Sequence, residues 1–109
     1  MSGEHSLTFF DVTFTTGVLQ SDIPVLVDFW AEGCGGRQRL APLIDLVASE
    51  YAGRAKVGKL NAMSNSITAT KYNIRGLPAV LVFKGGSVVE QRLGLIGEAD
   101  LQRMLDSHL

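Results

Sequence analysis

The chain has 109 residues, 46% of them hydrophobic and 19% charged, with a formal net charge of -1. That length suits one compact domain, 1–109, and that apolar content can fill a core, so a disordered chain is excluded. Lys and Arg are spread along the chain, and no basic cluster marks a nucleic-acid face. The longest apolar runs, such as Ala79 to Phe83, are far below the ~20 residues needed to span a bilayer, so no membrane is expected as a partner.

The opening residues MSGEHSLTFF hold no basic segment followed by an apolar run, so no secretory leader and a cytoplasmic location are expected. The single Cys34 can form neither an internal disulfide nor a zinc site of the usual multi-cysteine kind. No metal and no cofactor are expected. His5 and His108 lie near the two ends and read as solvent-exposed terminal residues.

Leu7 to Phe9 fits a short strand. Thr13 is placed to cap a short helix ending near Gln20, with Phe14, Val18 and Leu19 inward. Ser21, Asp22 and Pro24 form a break. The run Val25-Leu26-Val27-Asp28-Phe29-Trp30 is β-branched, aromatic and almost wholly apolar, as a strand covered on both faces should be. Alternation puts Leu26, Asp28 and Trp30 on one side and Val25, Val27 and Phe29 on the other.

A helix is expected from about Cys34 or Gly35, because Leu40, Leu43, Ile44, Val47 and Tyr51 recur at three- and four-residue spacing. Pro42 falls inside this pattern and should kink the helix without ending it; Gly53 supplies the stop. Ala55 to Leu60 reads as a second central strand, and Ser64 to Tyr72 as a weaker helix rich in Ser, Thr and Asn. After a break at Gly76-Leu77-Pro78, Ala79 to Phe83 and Val88 to Leu93 form a hairpin across Lys84-Gly85-Gly86-Ser87. Glu98 to Leu109 is the last helix, with Leu101, Met104 and Leu105 inward. The order β-α-β-α-β-α-β-β-α predicts an α/β fold: a mixed sheet flanked by helices on both faces.

This order, together with VLVDFWAE, LAP, KLN, YNIRGLPAVLVFKGG and the closing LG, resembles the thioredoxin family from about Thr8 to Leu109. The resemblance implies a thioredoxin fold, a cis bond before Pro78, and thiol–disulfide exchange on disulfide-containing protein substrates. It departs from the family at one place. The family's active site reads Trp-Cys-Gly-Pro-Cys, and the same window here reads Gly33-Cys34-Gly35-Gly36-Arg37. Cys34 aligns with the attacking cysteine, Arg37 replaces the resolving one, Gly36 replaces the proline and Gly33 the tryptophan.

A cysteine at a helix N-terminus meets unpaired N–H groups and a partial charge of roughly +0.5. Such settings lower a thiol pKa from ~8.5 into a range of roughly 3.5–7.5. With Arg37 in the second position, Cys34 can form a mixed disulfide but cannot clear it alone. An external thiol, from glutathione or a reductase, must finish the exchange. Asp28 matches a buried aspartate that in the family helps move the resolving cysteine's proton. Two arrangements are open. Arg37 folds inward and pairs with Asp28, or it points to water; Lys59, matching a family lysine, competes for the same carboxylate. Gly36 in place of proline should loosen the loop. Gly33 removes a large ring from the rim. The groove for an extended peptide is expected along Trp30, Gly33, Gly35, Gly36, Leu77, Pro78, Gly94 and Leu95.

The expected activity is that of a monothiol protein-disulfide oxidoreductase, acting as a monomer. The alternative is a binding or scaffold module that kept the groove and gave up turnover, since folds host many functions. A third possibility is a motif altered by engineering to trap mixed disulfides.

Overall fold

A computed structural model describes residues 6–33 and 35–109 and, of Arg37, the backbone alone. The β-branched runs form the sheet. Its strands are β1 (Leu7–Thr8), β2 (Val25–Trp30), β3 (Lys56–Asn61), β4 (Ala79–Lys84) and β5 (Ser87–Leu93), in the order β1-β3-β2-β4-β5. β2 lies parallel to β3 and antiparallel to β4, and β1 is parallel to β3. Five residues of β2, Val25 to Phe29, are buried, as a central strand covered on both faces requires. Gly85 and Gly86 turn the β4–β5 hairpin, both with positive φ (60° and 83°), the geometry that matches the twist of the flanking strands. The β4–β5 register shifts between Val82 and Phe83, leaving Val89 as a bulged residue on the outer strand.

The alternation predicted for β2 divides two cores. Leu26, Val57, Val80 and Val82 meet Leu40, Ile44, Val47, Leu101 and Leu105 from α1 (Arg37–Glu50) and α3 (Glu98–Asp106). On the other face Val25, Val27, Phe29, Leu81 and Phe83 meet Phe9, Phe14 and Val18. Tyr72, Ile74 and Leu77, which follow α2 (Ser66–Lys71), close that side. The expected mixed sheet with helices on both faces is therefore present.

Strand ends and α2 (expected from Ser64 to Tyr72, found at Ser66–Lys71) shift by one or two residues, and three other boundaries differ for a physical reason. The first helix is a 3₁₀ turn at Asp11–Thr13 running into a π-helical turn at Thr15–Leu19. Thr13 does not cap a new helix, because its Oγ1 accepts the Phe10 N–H (3.2 Å) and closes the turn before it. Thr15, Thr16 and Gly17 favour a tight α-helix weakly, and the wider turn still buries Phe14 and Val18. α1 begins at Arg37 rather than at Cys34 or Gly35. Glycine costs ~1 kcal/mol against alanine inside a helix, so Gly36 serves as the flanking residue, its carbonyl accepting the Leu40 N–H at 3.0 Å. The helix runs on through Pro42 and stops at Glu50, ahead of Gly53 at φ 86°. α3 ends at Asp106, short of Leu109. His108 is half-buried there, its Nε2 3.0 Å from Glu90 Oε2 on β5, and is not the free terminal histidine expected. His5 lies outside the described residues.

Candidate functional site

Where β2 ends, the chain crosses a short loop and enters α1; where β4 begins, the Leu77-Pro78 segment arrives at the same end of the sheet. The Phe29–Ala79 register sets this juxtaposition. The Leu77-Pro78 bond is cis, as expected. The Pro78 carbonyl accepts the Gly94 N–H at 2.9 Å, and Gly94 has φ 85°, so the loop after β5 is fastened beside the proline. Leu77 packs its side chain on the aromatic core. Among the described residues no hydrogen bond engages the Leu77 backbone.

The glycines of the loop differ from one another. Gly33 has φ 81°, a conformation in which an L side chain is strained. The loop thus holds a shape unsuited to the tryptophan of the family motif, beyond the simple loss of a ring. A Cβ added at Gly33 or Gly35 would meet nothing within 4 Å. At Gly36 it would meet Pro78 Cδ at 2.8 Å, Pro78 Cγ at 2.9 Å and Leu95 Cδ2 at 2.9 Å. Gly36 is therefore closely walled. The structure thus brings Gly36, Leu77, Pro78, Gly94 and Leu95 together. Trp30 sits half-buried at the end of β2, its carbonyl accepting the Ala62 N–H at 2.7 Å.

Asp28 is 2% exposed on the α1–α3 face of β2. Lys59 is its register neighbour on parallel β3, hence on the same face. The Lys59 ammonium lies 3.0 Å from Asp45 Oδ1 on α1, both side chains being largely covered. Asp45 was not foreseen. Its only sequence signal is a carboxylate beside the inward stripe of α1, next to Ile44. Cys34 and the Arg37 side chain, and with them the proposed Arg37–Asp28 pair, lie outside the described residues. The described residues contain no cluster of three or more His, Cys, Asp or Glu able to hold a metal ion, and no helix long and apolar enough to cross a membrane.

A family model for thioredoxin matches residues 5–107. Thioredoxin of Pseudomonas aeruginosa is 42% identical over 106 residues, covering 97% of this chain and 98% of its own. The chain belongs to the thioredoxin family. Thioredoxin 1 of a Nostoc species is 43% identical over 99 residues, and thioredoxin of Acidithiobacillus ferridurans 46% over 99; each comparison covers 91% of this chain and 92% of the relative. The fold described above is the thioredoxin fold, and the family is one of thiol–disulfide oxidoreductases acting on protein disulfides. Against the family's Trp-Cys-Gly-Pro-Cys, this thioredoxin relative carries Gly33-Cys34-Gly35-Gly36-Arg37 and one cysteine in the whole chain. The cis bond before Pro78 is present while the motif differs.

Proposed function

We propose that the protein is a monothiol protein-disulfide oxidoreductase. The Cys34 thiolate attacks one sulfur of a substrate disulfide; a mixed disulfide forms and the other substrate sulfur leaves as a thiolate. An external thiol such as glutathione then attacks Cys34 Sγ, releasing the second substrate thiolate and leaving Cys34 joined to glutathione. A second glutathione thiolate displaces Cys34 and departs as oxidised glutathione. Two electrons pass from two glutathione molecules to one substrate disulfide, and a reductase can replace glutathione as the donor.

The observation that carries this reading is the family match combined with a lone cysteine in the attacking position. Attack on a disulfide requires the thiolate form of Cys34. Arg37 adds positive charge close in sequence, and we include the buried Asp28 and its register neighbour Lys59 in the catalytic set with Cys34. The Leu77 backbone and cis-Pro78 give the substrate an edge to lie along. The protein acts as a monomer in a reducing compartment, the cytoplasm.

Reduction of a protein disulfide, measured with and without glutathione, tests this. Wild type turns over only with glutathione, Cys34→Ser is inactive in both conditions, and Arg37→Cys gains turnover with a dithiol donor. Full activity in Cys34→Ser sinks the reading. Substrate binding without any thiol reactivity would support a scaffold instead.

A further inference from the structure

The six residues of β2 put about 17 Å between its first residue, Val25, and its last, Trp30. At the Val25 end, away from Pro78, lies a cavity of about 460 Å³, a size that takes a small organic ligand. Its apolar lining is Ile23 and Pro24, from the break before β2, and Leu109, from the chain after α3. His108 holds that last segment in place: its Nε2 lies 3.0 Å from Glu90 Oε2, and its backbone N–H donates to the Leu105 carbonyl at 2.9 Å. Two cations face the same space, Arg54 from the turn after α1 and Lys84 from the end of β4. Arg54 is set in position. Its guanidinium carbon sits 4.7 Å from the Tyr51 ring centroid, and Nη2 donates to the Glu50 carbonyl at 3.0 Å. Among the described residues neither Arg54 nor Lys84 is in an ion pair. Of the lining side chains only Asp22 is a carboxylate. The side chains thus present a surplus of positive charge beside an apolar floor.

We propose that this cavity binds an amphipathic carboxylate, a small molecule with one anionic head on an apolar body. The head lies between Arg54 and Lys84. Arginine offers a planar pair of N–H donors that suits a carboxylate, and Lys84 brings a point charge on a flexible stem. The body lies on Ile23, Pro24 and Leu109, where each buried methylene adds a favourable transfer free energy. Neither half suffices alone. Exposed cations hold a bare anion weakly, because water and salt screen them, and the apolar floor does not choose the sign of a head group. Together they select an anion with an apolar body over its neutral and cationic counterparts. Asp22 repels the head and so tempers the affinity. These residues are separate from the Cys34 set and from the peptide groove, so the site stands apart from disulfide exchange.

Octanoate is titrated into the isotope-labelled protein at low salt and followed by backbone amide shifts, with acetate, octanol and octylammonium as comparators. Octanoate gives saturable shifts confined to the segments around Ile23, Arg54, Lys84 and His108, with a Kd below about 1 mM. Acetate, a head without a body, gives none. Octanol binds more weakly than octanoate, and octylammonium more weakly still. Lys84→Gln and Arg54→Gln each weaken octanoate about threefold, the size expected of an exposed charge contact, and leave octanol unchanged. Asp22→Asn tightens octanoate and leaves octanol unchanged. Ile23→Ser weakens both. Arg54 also packs on Tyr51, so if Arg54→Gln fails to fold, the exposed Lys84 and Asp22 decide the charge preference. Shifts scattered over the surface overturn the proposal. So does octylammonium binding as tightly as octanoate, or an octanoate affinity that is the same in wild type, Lys84→Gln and Asp22→Asn.

Discussion

Asp11 caps a helix to which it does not belong. Its carboxylate accepts the Thr68 hydroxyl at 2.6 Å, the Thr68 N–H at 2.8 Å and the Ile67 N–H at 3.3 Å, all in the first turn of α2. Asn65, the flanking residue of that helix, accepts the Asp11 N–H in return at 2.9 Å. The Thr68 hydroxyl, aided by the two amides, holds the Asp11 carboxyl below its ordinary value against the opposing effect of burial. Because the folded state prefers the ionised form, the stabilisation is present above the ordinary carboxylate value and fades as pH falls through the lowered folded one. Asp11→Asn should lower the melting temperature at pH 7 and shrink the wild-type advantage as acid is added. An advantage that stays constant down to low pH would count against the cap. Nothing in the sequence marks Asp11, whose partner is 57 residues away. The loop glycines carry the same lesson. Gly33, Gly35 and Gly36 read alike, and only their neighbours in space distinguish an open position from a walled one.

At the level of elements, α1 and α3 are locked through the residue that ends α1. The Tyr51 hydroxyl donates to Asp106 Oδ1 at 2.6 Å and lies 3.3 Å from the Gln102 carbonyl, both on α3. Burial, then the hydrogen bond to Asp106 and its charge, push the Tyr51 phenol up to about 12 from 10.0. The folded state thus favours the neutral phenol. This contribution is complete below pH 10 and is lost as pH climbs from 10 towards 12. Chemical denaturation across that window should show wild type losing stability faster than Tyr51→Phe; parallel curves would refute the lock. Strands β2 to β5 and helix α1 were legible because single patterns dominate them: a β-branched run, a two-glycine turn, a three-four apolar spacing. The segment from Thr13 to Gln20 was legible only in its inward residues. Thr13 bonded backward to Phe10, and threonines with a glycine left the choice of turn width to the packing of Phe14.

For the molecule as a whole, the central sheet separates an aliphatic core under α1 and α3 from an aromatic one on the far side. Phe83 anchors the second, fully buried, with ring centroids 5.4 Å from Phe14 and 5.0 Å from Tyr72. Phe83→Ala should cost roughly 3–5 kcal/mol, because the rigid sheet cannot collapse into the space left. A urea midpoint that falls with the slope unchanged would report it, and a loss below ~1 kcal/mol would mean that the rings rearrange. The division was readable from alternation in β2 alone; which rings would meet was not, because Phe14, Tyr72 and Phe83 come from three distant stretches. The rim of the sheet has its own effect on how other chains meet this one. One border strand is two residues long, and the other is kinked at Val89 and studded with Glu90 and Arg92. Neither margin is a good template for a foreign strand. A visitor seeking main-chain bonds finds the short stretch ahead of Pro78 instead, and under the function proposed above docking and chemistry would share one address.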